Sequence, residues 1–226
     1  MLGFRKTLLV SLTLVLFCLG AANVARADFV ALSNTDSGWY DSTGFHDSTN
    51  KNYIAGSLAG TTFHNYFVFS LSGVSGTITS AHISLAAASV NGSGTFFLHD
   101  VTTAPSVLSA DHTNGIDIFN DLGSGTLYGS MTVTPEDNFG LVIVNLNAAA
   151  IAALRSSGGG TFAVGGFFDT SPGTFAFGAS QDGAPDLRNE LILETQPVPE
   201  PATLLLLGIG LTGVAARVRR RRAVGR

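Results

Sequence analysis

Between residues 28 and 196, apolar runs of five to nine residues alternate with clusters of Gly, Ser, Asn and Asp. This is the rhythm of short strands joined by turns. The clearest run is Asn65-Tyr66-Phe67-Val68-Phe69-Ser70-Leu71, aromatic and β-branched. After a turn at Gly73–Gly76, residues 78–85 alternate, which puts Ile83 and Leu85 on one face and His82 and Ser84 on the other. The same reading predicts strands at Phe29–Leu32, Tyr53–Ala55, Thr95–Val101, Gly125–Val133, Phe139–Leu146, Thr161–Phe168, Thr174–Gly178 and Glu190–Glu194. One helix interrupts them. Asn147 is a good N-cap, Ala148–Leu154 is alanine-rich with Ile151 and Leu154 three apart, Arg155 suits the dipole, and Gly158-Gly159-Gly160 stops the helix. Thr113–Leu122 is a second, weaker helical stretch. About ten short strands with frequent turn signals predict an all-β, antiparallel β-sandwich with one short helix. No fixed-period repeat is present.

Both flanks differ from this body. Phe4-Arg5-Lys6 is a short cationic start and Thr7–Leu19 is an uncharged apolar run. Ala25 and Ala27 supply small residues before a cut at Asp28, so residues 1–27 read as a secretory signal peptide whose partner is signal peptidase. Cys18, the single cysteine, lies in that run. The chain after the cut therefore has no thiol for disulfides, metal ligation or nucleophilic catalysis. At the other end, Pro197-Val198-Pro199-Glu200-Pro201 is stiff and extended. Ala202–Ala216 follows as an uncharged apolar stretch of 15 residues, about 22 Å of helix and thin for a bilayer. Arg217, Arg219, Arg220, Arg221 and Arg222 then resist entering lipid and set the topology: arginines on the cytoplasmic side of the inner membrane, body outside. The predicted organisation is a signal peptide (1–27), a β-sandwich domain (28–196) and a segment with a transmembrane helix (197–226).

The order Val198-Pro199-Glu200-Pro201, short apolar helix and arginine cluster resembles the PEP-CTERM protein-sorting signal of Gram-negative bacteria. The resemblance covers residues 197–226. It implies processing by exosortase, a multi-pass membrane enzyme, near Val198–Pro201, with delivery to the cell surface or to an extracellular matrix that accompanies exopolysaccharide. In that reading Pro199, Glu200 and Pro201 are recognised as substrate and catalyse nothing. The body has a likeness of its own. The run 65–71, the strand Ser80–Leu85, Val144-Asn145-Leu146-Asn147 with its alanine helix, and Phe162-Ala163-Val164-Gly165-Gly166 resemble jelly-roll domains of bacterial surface proteins. These are akin to carbohydrate-binding modules and to the DNRLRE type, although the latter's namesake motif is absent.

Charge narrows the function classes. Of 226 residues only 12% are charged, and residues 28–196 hold three cations (Lys51, Arg155, Arg188) against 15 of the 16 acids, a net of −12. Such a body repels a phosphate backbone, which excludes nucleic-acid binding. His46, His64, His82, His99 and His112 form no HxH, HxxxH or HExxH pattern, and no GxSxG elbow is present. The reading is therefore non-enzymatic, with no required cofactor. Calcium is the cation its loops would suit. Asp36, Asp41, Asp47 and Asn50 lie in one oxygen-rich region, and Asp111, Asn114, Asp117, Asn120 and Asp121 in another. No EF-hand or RTX spacing is present, and Asp and Asn favour turns on their own account. Trp39, Tyr40 and Asp41 are the candidates for stacking on and orienting a sugar, against the alternative that Trp39 plugs one end of the core. Asn91-Gly92-Ser93 reads as a turn. Three roles stay open: a structural or interaction protein of the surface or matrix, which is the leading expectation, a carbohydrate-binding module, and a polysaccharide hydrolase with two facing carboxylates.

Overall fold

A computed structural model describes residues 27–169, 171–178, 189–196, 208 and 210. Residues 1–26 and 197–226 group apart from 27–196, and the strands and cores belong to the latter unit. Its ten strands are β1 (Asp28–Asp41), β2 (Ala55–Leu58), β3 (Thr61–Ser70), β4 (Thr77–Ala87), β5 (Gly94–Asp100), β6 (Leu127–Val133), β7 (Gly140–Asn145), β8 (Thr161–Asp169), β9 (Phe175–Ala176) and β10 (Glu190–Gln196). Three short α-helices join them: α1 (Pro105–Leu108), α2 (Ile116–Leu122) and α3 (Ala148–Ser156), with a 3₁₀ turn at Pro135–Asp137.

The hydrogen-bonded order is β6-β5-β8-β3-β1-β10-β4-β7, with β2 on β3 and β9 on β2. All pairings are antiparallel. The 14-residue β1 serves two neighbours. Asp28–Ser33 pair with β10 and Asn34–Asp41 with β3, with a register shift between Asn34 and Asp36. Such an irregularity bends a strand and raises its twist. The two ends of the order, β6 and β7, come together without a ladder. The Asn147 amide donates to Tyr128 O at 2.8 Å, its side chain to Leu127 O at 2.6 Å, and Gly129 lies against Asn145 O where no side chain would fit. The sheet is nearly closed.

Alternation on β3 divides the packing. Phe67 and Phe69 enter the main core with Phe96, Leu98, Ile83, Leu85, Leu191 and Leu193. Tyr66 and Val68 point the other way, into a smaller cluster with Tyr40, Leu108 and Leu122. Each fully buried Phe or Leu contributes on the order of 1.5–3 kcal/mol from burial. The segment between β5 and β6, carrying α1 and α2, forms the outer cover of that second cluster. It seats closely because Gly165 has no side chain: a Cβ there would lie 2.5 Å from Leu122 O. Among the described residues, the buried members of both cores fall between 40 and 193, with Val30 and Leu32 packed against the main one.

The antiparallel all-β body agrees with the alternating pattern. The expected helix is α3, with Asn147 accepting from the Ala149 and Ala150 amides and with Ile151 and Leu154 buried. The expectation of a single helix needs correction. The weaker stretch forms α2, and α1 starts at Pro105, where fixed φ and a missing amide donor suit a first helical turn. Phe29–Leu32 is only the start of β1, which runs on through Trp39, Tyr40 and Asp41. Tyr53 and Ile54 precede β2 and are buried, with the Tyr53 hydroxyl donating to Ala86 O at 2.8 Å. Phe139, expected in a strand, has φ of 58° and precedes β7. Among the described residues no helix is long and apolar enough to cross a membrane. The signal-peptide residues through Arg26, and almost all of the C-terminal apolar stretch, lie outside the described residues.

Candidate functional site

The densest polar cluster of the body lies where the loop after β1 folds back over β1 and β3. Gly38 makes the approach feasible, since a Cβ there would lie 2.8 Å from the Tyr66 ring and 2.9 Å from that of His46. His46 is 1% exposed. Its Nδ1 lies 2.7 Å from Trp39 O, so that nitrogen carries the proton and donates. Nε2 lies 3.4 Å from the Tyr66 hydroxyl, which also reaches Asp36 Oδ2 at 3.3 Å. Lys51 Nζ donates to Asp36 Oδ1 at 2.6 Å. Tyr40 stacks on the His46 ring, with centroids 4.6 Å apart, and donates to Leu108 O at 3.0 Å.

Burial sets the charge states here. It pushes His46 below its ordinary value and both tyrosines, Tyr40 and Tyr66, well above theirs. Burial also pushes Asp36 upward, but its bonds and charge attraction to Lys51 outweigh that and hold it below the usual carboxylate value. At neutral pH the cluster therefore holds one ion pair, a neutral imidazole and two protonated phenols. It pins the 42–52 loop to the sheet.

The expected sugar-contact residues fall at this cluster. Trp39 is partly exposed and sits edge-on to Phe63, at 5.2 Å and 83°. Tyr40 is fully buried and presents no ring face to solvent. Asp41 Oδ1 accepts from the Thr43 amide (2.8 Å), the Thr43 hydroxyl (2.6 Å) and the Phe45 amide (3.0 Å), closing its own turn. Asp41 is thus spent locally, and the trio does not converge on one surface.

The oxygen-rich region further along is also used piecewise. Asp111 Oδ1 accepts from the Ser48 amide at 2.7 Å. Asp121 accepts from the amides and hydroxyls of Thr102 and Thr103 at 2.7–3.3 Å, tying the end of β5 to α2. Burial alone would raise Asp121, and those four donors more than reverse it. Asp117 stands in the first turn of α2, and Asn114 is exposed ahead of it. A surface cleft of about 300 Å³ is lined by Phe45, His46, Asp47, Asp111, His112 and Thr113. Among the described residues no group of three or more His, Asp or Glu side chains is placed to hold a metal ion.

Two features escape a reading of sequence spacing. His64 stacks on Phe119 at 3.9 Å and 5°, with Nδ1 2.7 Å from Phe119 O, joining β3 to α2 across 55 residues. Phe97, His99 and Phe167 form a near-parallel aromatic group on β5 and β8, with Phe97 and Phe167 centroids 5.0 Å apart. The alternation Phe97-x-His99 was the signal for the second. Nothing local announced the first.

The comparison with known proteins bears on the other end of the chain. Residues 197–221 match the PEP-CTERM protein-sorting motif. This supports an exosortase substrate: an exported, membrane-anchored precursor sorted to the cell surface or to an exopolysaccharide-related matrix. No curated protein matches the chain. Val198, Pro199, Glu200 and Pro201, and the arginines Arg217, Arg219, Arg220, Arg221 and Arg222, lie outside the described residues, as does Ala25. Ala27 and Asp28 are described, and Asp28 opens β1.

Proposed function

We propose that this chain is a non-enzymatic structural or interaction protein of the cell surface or exopolysaccharide matrix. Signal peptidase trims it before Asp28, and exosortase trims it near Val198–Pro201. Its body is taken as a jelly-roll-like β-sandwich, held during processing by the C-terminal apolar segment and its arginine block. The observation that carries the reading is the match of residues 197–221 to the sorting motif. Strand boundaries support it. β1 begins at Asp28, immediately after the expected first cut, and β10 ends at Gln196, immediately before Pro197. Both trims would leave every described strand intact.

The test is the intact mass of the protein recovered from surface and medium fractions of a host with exosortase and of the same host with that enzyme deleted. The expected species starts at Asp28 and has lost everything beyond the Pro199–Pro201 region, with the longer precursor accumulating in the deletion. A chain still ending at Arg226 in the exosortase-competent host overturns the proposal.

A further inference from the structure

Next to the strand pair formed by β4 and β10, a cleft of about 360 Å³ opens between the Gly73–Gly76 turn and the end of α3. Val74 is the partly exposed apolar side chain of its floor, with Leu71 and Leu154 buried beneath, and the backbone of Gly158 and Gly159 forms one rim. Arg155 stands on the other. Its Nε and Nη2 donate to Ile78 O at 2.8 and 2.6 Å, which fixes the guanidinium plane and leaves the Nη1 side for another acceptor. The charge setting of this group is unusual. In a body with 15 acids and three cations, Lys51 is paired with Asp36, whereas Arg155 has no carboxylate partner among the described residues. None of the residues lining the cleft is acidic.

An oriented guanidinium beside an apolar floor suits a carboxylate carried on a ring with an apolar face. We propose that this cleft binds the uronate units of an acidic polysaccharide, the carboxylate on Arg155 and the C–H face of the ring on Val74 and the Gly158–Gly159 backbone. The proposal rests on the matrix role proposed for the chain and gives it a ligand class. The acidic body does not forbid such a contact, because at physiological ionic strength charges beyond about 8 Å are largely screened. A helix-end arginine satisfying a strand carbonyl is a structural device by itself. The separating observation is what the remaining N–H groups do.

The test is calorimetric titration of residues 28–196 with an oligouronate and with a neutral glucan of the same length. This fragment omits the C-terminal arginines, which would bind any polyanion, and it contains every described residue of both cores. The expected result is binding of the oligouronate, weakening with salt, with no measurable binding of the glucan. Arg155→Ala lowers the affinity at least about tenfold, the loss of a charge-assisted pair, and Arg155→Lys retains part of it. Should Arg155→Ala fail to fold by circular dichroism, Thr77→Glu serves in its place. It leaves the guanidinium and puts a competing carboxylate at the cleft, and it too removes binding. Equal binding of the two oligomers, equal affinity in the folded variants, or no oligouronate binding at millimolar concentration overturns the proposal. Trimming of the chain in the host is read by mass and does not depend on any of these results.

Discussion

Acidification from pH 7.5 to 5.5 should destabilise the body, and histidines set the size of the effect. His46, His64 and His99 are all held below their ordinary value, in each case chiefly by burial. A histidine with a depressed folded-state value stays neutral in the native state while the unfolded chain takes up a proton near pH 6.5. The unfolded state then binds more protons, so stability rises with pH across this window and is lost as pH falls through the unfolded value. For a group that stays neutral when folded, the loss between pH 7.5 and 5.5 is about 1.4 kcal/mol. That figure is a ceiling, which His46, 1% exposed, approaches most nearly, and His64, clasped between Phe119 and Gly123 but partly exposed, falls short of. His99 is partly exposed and contributes a discounted share. The ceiling for the three together is about 4 kcal/mol, against the roughly 5–15 kcal/mol total of an ordinary domain. Asp36 and Asp121, held low, begin to matter only below about pH 4 and leave the window to the histidines. Urea unfolding of residues 28–196 should show the midpoint falling over this range, by at most about 2 M. His64→Gln should make the dependence shallower, by at most one proton. A midpoint that is flat or rises on acidification refutes the reasoning.

Two substitutions probe the backbone. Gly165→Ala would place a Cβ 2.5 Å from Leu122 O and 2.6 Å from its Cα, so α2 must shift off the sheet. The expected loss is about 2–3 kcal/mol, a fall in Tm of about 5–10 °C by scanning calorimetry. An unchanged Tm would mean that α2 does not seat on β8. Ala59 and Gly60 form the two-residue turn between β2 and β3 with φ of 51° and 83°, and Ala59 is exposed there. Ala59→Asn should stabilise by about 0.5–1 kcal/mol, since Asn tolerates the left-handed region better, and a lower urea midpoint contradicts that.

What the sequence disclosed was whatever depends on neighbours in the chain. The alternation at 78–85 places Ile83 and Leu85 in the main core, and the Asn147 cap and the spacing of Ile151 and Leu154 locate α3 to within two residues. The sorting motif is legible because an enzyme reads it as a linear string. What stayed hidden depends on distant approach. Gly38 and Gly165 look like strand interruptions in sequence, yet they are where His46 and Leu122 come down onto the sheet. Tyr40 sits in a polar Gly-Trp-Tyr-Asp stretch that invites an exposed reading. The cover it lies under comes from Leu108, 68 residues away, to whose carbonyl its hydroxyl donates. The acids from Asp111 to Asp121 suggest a cation loop when counted, but Asp111 is drawn to the Ser48 amide and Asp121 to Thr102 and Thr103, two different segments. Composition cannot show that kind of division.

The position of β10 ties the fold to the route of the chain. Among the described residues, Asp28–Ser33 of β1 have β10 as their only sheet neighbour, and β4 separates β10 from β7. Asp28 pairs with Thr195 across 167 residues. The first half of β1 therefore has nothing to pair with until β10 has been made, and the sheet cannot approach closure earlier. Long-range pairing of this kind carries the loop-closure entropy of the whole body and forms late. A chain threaded through a membrane from its N-terminus would keep that half of β1 unpaired until residue 196 emerged. A cut between Ala27 and Asp28 during that passage would meet an extended, open backbone. A cut beyond Gln196 would come only once the body could be complete. Under the processing proposed above, the first trim would precede the pairing of β1 with β10 and the second would follow it.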